Sequence, residues 1–279
     1  MAASSTKGQL TRNAWCVLVP LAVVVAYLGL GAGVGTVVGE PVFGTVLLAG
    51  VMVVAIGVVR LRRPGWLTHH PGPRPRGGIP RFARTVVGCA VLAFLAGQSL
   101  ALWLYTVNGS AGFDESVRIR QDAGPVVALL LVLVAAPAAE EMLFRGLLYP
   151  LLRRRAGVVA SVFITAGVFG LMHGNAVQFA AVLPLAVLLA LVYERMRALW
   201  PCVFLHLGFN LVATFVPAPV LAGLANPVSA LLLTAAFVGC ALILCRKIVN
   251  GSAPAGAEPR LTEVSPGAPE RPPGSACDR

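Results

Sequence analysis

Ala139-Glu140-Glu141-Met142-Leu143-Phe144-Arg145-Gly146-Leu147-Leu148 puts three ionisable side chains inside an otherwise apolar run. Between Pro125 and Leu152 the only other polar side chain is Tyr149. A run of this length is enough to cross a bilayer, which needs about 20 apolar residues. Glu140, Glu141 and Arg145 are then placed at membrane depth. An isolated charge at the middle of a bilayer costs roughly 2.5 to 3.5 kcal/mol, so such residues usually face a protein interior or a water-filled cavity. The stretch therefore predicts a bundle of spanning helices around it and a polar site inside that bundle.

The rest of the chain supplies such a bundle. Its 279 residues are 57% hydrophobic and only 12% charged. A soluble domain of this size carries about 25% charged residues and no repeated apolar runs. Eight candidate spans can be drawn: Trp15 to Val38, Val42 to Val59, Thr85 to Val107, Pro125 to Leu152, Ala156 to His173, Ala176 to Tyr193, Ala198 to Val216 and Pro227 to Cys245. The fifth and sixth are the weakest. The expected fold class is all-α, a polytopic transmembrane helix bundle of about eight spans. The first span is too long for a signal-peptide core and reads as uncleaved.

A net charge of +11 would point to nucleic acid in a soluble protein, but its placement gives another reason. With both termini cytoplasmic, 19 of the 22 Lys and Arg fall on the cytoplasmic side, Arg118 and Arg120 lie outside, and Arg145 lies within a span. This satisfies the positive-inside rule. The expected location is the plasma membrane of a bacterium. The lipid bilayer is the expected partner and nucleic acid is not.

The chain divides into a cytoplasmic N-terminus (1–14), N-terminal spans with a basic cytoplasmic loop (15–124), a core (125–216), a last span (217–245) and a disordered cytoplasmic tail (246–279). The Arg60 to Arg84 loop suits contact with anionic headgroups. His69 and His70 within it read as solvated. Asn108 to Gly124 reads as a solvated external loop, and Glu194-Arg195-Met196-Arg197 as a cytoplasmic turn. The six cysteines have no ligand-type spacing and read as free thiols used as small apolar residues.

Within the core, Glu141 and Arg145 are four apart and share a helix face. Glu140 points about 100° away, since an α-helix has 3.6 residues per turn. The simplest allocation makes Glu141 the partner of Arg145 and leaves Glu140 as an adjustable acid or base. Pro137 frees the carbonyl of Leu133 and can kink the helix. Phe169 and His173, and again His206 and Asn210, have the same i, i+4 spacing. A carboxylate, two histidines and an asparagine on three spans suit amide hydrolysis. The carboxylate takes a proton from water, and His and Asn donate to the tetrahedral oxyanion. A zinc site built from Glu140, His173 and His206 is the competing chemistry, although HExxH and a Cys ligand are both lacking.

Glu140-Glu141-x-x-x-Arg145, Phe169-x-x-x-His173 and His206-x-x-x-Asn210, in that order on apolar spans, resemble the three motifs of the CPBP family of CAAX prenyl endopeptidases and bacteriocin-processing or immunity proteins. The resemblance covers roughly Val126 to Thr214, with Leu199-Trp200-Pro201 also similar. It implies an intramembrane endopeptidase in which Glu140 and His173 activate water and His206 and Asn210 form the oxyanion site. Glu141, Arg145 and Phe169 have supporting roles. The expected substrate is a membrane peptide or protein of unspecified lipidation. A glutamate-type mechanism without cofactor is favoured, with zinc as the alternative.

Two other classes compete, a non-proteolytic scaffold or immunity factor and a proton-coupled transporter. Intact motifs count against the first, and the lack of an inverted repeat counts against the second. One conflict is visible in the sequence. Straight upright helices would leave His173 near the outer surface and His206 only about 12 Å from the inner start of its span, far from Glu140 in depth.

Overall fold

The structure is a computed structural model and describes residues 2–39, 41–64 and 79–250. Expectations for His69, His70, Cys277 and the tail beyond Asn250 lie outside the described residues. Four helices come first: α1 (Ala2–Val38), α2 (Pro41–Arg62), α3 (Ile79–Asn108) and the short α4 (Ala111–Asp122). The fourth span follows in pieces: α5 (Pro125–Leu130), α6 (Ala136–Leu143) and α7 (Tyr149–Arg153). Then come α8 (Val158–Leu171), α9 (Ala176–Met196), α10 (Leu199–Phe215), α11 (Ala218–Leu221) and α12 (Pro227–Asn250). Among the described residues there is no strand, so the fold is all-α.

Among the described residues six helical stretches are long and apolar enough to cross a membrane. The other two apolar helices are α8, with 14 residues, and α10, with 17. At 1.5 Å per residue these reach roughly 21 and 26 Å, short of a hydrocarbon core of about 30 Å. The sixth candidate span, read as weak, is a full 21-residue helix, and the seventh is one of the two short ones.

The pieces of the fourth span are joined by two wide turns, Leu131–Ala135 and Phe144–Leu148, and each ends just before a proline. Ala136 N–H reaches the carbonyl of Leu131, and Tyr149 N–H that of Phe144, five residues back rather than four. The cause is local. Proline has no N–H and its ring crowds the carbonyl four residues before it, so the helix widens ahead of Pro137 and Pro150.

Among the described residues the core has two large parts and a small third cluster, where Ala101 of α3 meets Val177 and Ala180 of α9. In one, α3, α9, α10 and α12 pack through Cys89, Leu188, Leu189, Val192, Phe209, Phe237 and Leu244. In the other, α2, the fourth span and α8 pack through Met52, Ile56, Leu143, Phe144, Leu148 and Phe169. Helix α9 is central. Its apolar window is 61% buried, whereas that of α1 is 0% buried, so α1 lies at the periphery. A side chain at Gly97 of α3 would collide with the Ala181 carbonyl oxygen of α9, which explains the glycine at this close crossing.

Three expectations change. The external loop contains α4, whose N-cap Ser110 accepts from Phe113 N–H and of which no residue is buried. Hydrogen bonds from Arg118 hold the Glu115 carboxyl on α4 below the usual carboxylate range. The Glu194 turn is instead the buried end of α9, where Glu194 accepts from the Tyr149 hydroxyl at 2.9 Å and pairs with Arg153 at 3.0 Å. Cys89 and Cys240 are disulfide-bonded, tying α3 to α12, while Cys202 and Cys245 remain free. No local spacing could disclose a pair 151 residues apart.

Candidate active site

The three motifs converge. Glu140 and Glu141 sit on α6, in the middle of the fourth span. Glu140 lies roughly 20 Å along the helix from the Arg153 end, and His173 lies roughly 22 Å from the Val158 start of α8. Both climb the same distance from the same side, because α8 stops short at Leu171. For His173 the predicted conflict in depth arose from treating α8 as a full span with its histidine at the far surface. His206 and Asn210 come from α10, and His206 Nε2 lies 3.6 Å from Glu140 Oε2.

Glu141 and Arg145 form a buried pair, Nη1 to Oε1 at 2.9 Å, with both side chains 0% exposed. Arg145 also donates through Nη2 to the Ala186 carbonyl of α9 at 2.7 Å, and its guanidinium lies 5.3 Å from the Phe169 ring centroid. The same Glu141 Oε1 meets His206 Nδ1 at 2.9 Å. A carboxylate only accepts, so Nδ1 carries a proton and Nε2 is turned towards Glu140. This link between Glu141 and His206 is the main feature that the sequence reading missed. The two residues are 65 apart and nothing in either motif announces it. Glu141 Oε2 and Arg145 Nε are buried with no partner among the described residues. A buried pair that is not fully satisfied adds little stability, which favours a positioning role.

His173 is held in a similar way. Its Nδ1–H donates to the Phe169 carbonyl at 2.9 Å, a group left open because the helix ends two residues later. The acceptor Nε2 therefore remains available. Gly174, at φ +74, turns the chain, and Asn175 caps α9 while its Nδ2 donates to the His173 carbonyl at 3.1 Å. Phe169, 1% exposed, is the common wall, with its ring 5.2 Å from His173 and 5.7 Å from His206. Asn175 also escaped the sequence reading, although Asn before an apolar run is a recognisable cap signal.

Asn210 Nδ2 donates to the Val132 carbonyl at 2.8 Å. Val132 lies five residues before Pro137, and the widened turn leaves that carbonyl without an N–H. The expected orphan was Leu133, and the shift of donors in the wide turn moves the capped carbonyl one residue back. Arg60 does the same for the second turn, with Nη1 donating to the Gly146 carbonyl at 2.9 Å, four residues before Pro150.

Glu140 is 24% exposed and opens onto a cavity of about 70 Å³. That is more than the space of about 10 to 15 Å³ on this measure that one water needs. Its lining includes Glu140, His173, Phe169 and Met172 from the motif helices, and Tyr27 from α1. Tyr27 carries no motif and could not be found from sequence. Glu140, His173 and His206 are metal-ligand types, but among the described residues no group of three or more His, Cys, Asp or Glu is arranged to hold an ion.

Glu140, Glu141, Arg145, His173 and His206 meet inside a bundle of apolar helices, and Asn210 lies one turn beyond His206 on α10. Residues 122–212 match the family model described as Type II CAAX prenyl endopeptidase Rce1-like. The resemblance to the CPBP family holds over those residues, which carry all three motifs. The chain is also similar to "Putative membrane peptidase YdiL" of Bacillus subtilis (strain 168), 24% identical over 146 residues, 49% of this chain and 60% of the relative. It is similar to UPF0177 protein YbdJ of Lactococcus lactis subsp. lactis (strain IL1403), 29% identical over 85 residues, 30% of this chain and 36% of the relative. The chain thus spans less than two thirds of either relative's length. No solved structure gives a significant match.

Proposed function

We propose that the chain is an intramembrane endopeptidase that hydrolyses a peptide bond of a membrane-associated peptide or protein with water activated by Glu140 and His173. The observation that carries this reading is the arrangement around Glu140. Its carboxylate faces a water-sized cavity shared with His173 and stands 3.6 Å from His206 Nε2, whose other ring nitrogen is fixed by Glu141.

In the reaction, Glu140 takes one proton from water while the remaining O–H donates a hydrogen bond to His173 Nε2. The oxygen adds to the substrate carbonyl and an oxyanion forms. A protonated His206, flanked by two carboxylates, donates Nε2–H to that oxyanion. Asn210 has a second amide hydrogen beyond the one given to Val132, and in this reading it joins His206. Glu140 then passes its proton to the leaving amine, and the carbon–nitrogen bond breaks. The buried Glu141–Arg145 pair holds His206 and does not meet substrate.

The test compares cleavage of a membrane peptide library by purified wild type and Glu140→Gln, with the metal content of both measured. Loss of cleavage of about 100-fold or more is expected for the variant. Equal cleavage by both proteins would overturn the assignment of the base. Bound zinc that is lost in His173→Ala would transfer the reading to a metal mechanism.

A further inference from the structure

The basic end of the fourth span holds a second cavity that the proposed chemistry does not use. It has a volume of about 260 Å³ and is walled by Trp15 of α1 and by Leu151, Arg154 and Arg155 at the end of α7. Trp15 lies just before the apolar window of α1, which begins at Leu18, and Arg154 and Arg155 directly follow the apolar fourth span. The cavity is therefore at the level where hydrocarbon gives way to headgroups, where tryptophan and arginine are both favoured.

The neighbouring arginines have different tasks. Arg153 is committed to Glu194 at 3.0 Å. Arg155 lies with its guanidinium 5.0 Å from the Trp15 ring centroid. Stacking on an indole uses the flat face of a guanidinium and leaves its N–H edge, whose fork matches two phosphate oxygens. Among the described residues no carboxylate lines the cavity. Leu151 supplies an apolar floor on the membrane side, suited to a glycerol backbone and the first carbons of an acyl chain.

We propose that this cavity binds the phosphate of an anionic phospholipid headgroup, with the Arg155 edge as donor, Arg154 adding positive charge to the lining and Trp15 as the interfacial wall. Such a lipid joins α1 to the fourth span. Helix α1 packs on the second core part through the partly buried Val19, Val23 and Tyr27, and Tyr27 faces the Glu140 cavity roughly 18 Å further along. The bound lipid thus holds the peripheral helix that closes the catalytic cavity. Lipid binding is read without reference to peptide cleavage, so it stands or falls separately from the proposed activity.

The experiment purifies the full chain, exposes it to mixed micelles of phosphatidylglycerol and phosphatidylcholine, and measures the lipid retained by native mass spectrometry. Wild type should retain phosphatidylglycerol in preference to phosphatidylcholine. The double variant Arg154→Gln/Arg155→Gln should lose that preference roughly tenfold, and Arg155→Lys, which keeps charge but not the fork, should fall between. Retention by the double variant equal to wild type would overturn the proposal. So would displacement of the lipid by inorganic phosphate as readily as by phosphatidylglycerol vesicles, which would make this a free-anion site. If the double variant does not fold, Trp15→Leu replaces it, and full phosphatidylglycerol preference in that variant is the overturning result.

Discussion

Two adjacent glutamates have opposite physical situations, and this difference governs what their substitution does. Glu141 is 0% exposed and holds both Arg145 and His206, whereas Glu140 is 24% exposed at the wall of a cavity. Removing one partner of a buried pair leaves an uncompensated charge and costs about 3 to 5 kcal/mol. Glu141→Ala should therefore lower the thermal stability of the solubilised protein by that amount or prevent folding. Glu140→Ala should stay within about 1 kcal/mol of wild type. Thermal unfolding of both variants in the same detergent checks the contrast, and equal losses would mean that the two roles are not separated. The pairing of Glu141 with Arg145 was legible from their four-residue spacing. The link to His206 was not, because it depends on how α10 meets α6.

At the scale of the element, the fourth span is shaped by its prolines and repaired by its neighbours. Pro137 leaves the Val132 carbonyl open, and Asn210 closes it from α10. Leaving a buried carbonyl unsatisfied costs about 1 to 3 kcal/mol, so Asn210→Ala should destabilise the protein by that amount. In a Pro137→Ala background, a new N–H can serve the carbonyl and the penalty should shrink. A double-mutant cycle on stability reads the coupling directly, and simple additivity would dismiss it. The α3–α9 crossing gives a second test. Gly97→Ala forces a methyl group into the Ala181 carbonyl and should destabilise by about 1 to 3 kcal/mol or more, because the obstacle is backbone. The proline kink was legible in the sequence. The capping residue was not, since motif spacing presented Asn210 only as a donor to substrate.

At the scale of the whole molecule, α4 and the Arg153 to Arg155 segment lie at opposite ends of the fourth span. Orientation follows from charge: the arginine-rich ends should be cytoplasmic and α4 outside. In right-side-out vesicles of single-cysteine variants, a cysteine at Arg118 should react with an impermeant maleimide. One at Ala156 should react only after the membrane is opened. The reverse pattern would invert the topology and place the second cavity in the other leaflet.

Hydrophobicity alone determined that the chain is a helical membrane bundle, because apolar runs of spanning length leave no other way to satisfy their backbone groups. Residue types and order determined which side chains carry the candidate chemistry. Tertiary structure decided the rest. It set the truncated length of α8, which brings His173 to the depth of Glu140, and the contact of Glu141 with His206. It also placed Tyr27 on the cavity and brought Cys89 to Cys240. Each of these is a relation between distant segments fixed by how helices of unequal length pack. A local pattern of spacing and charge carries no record of that.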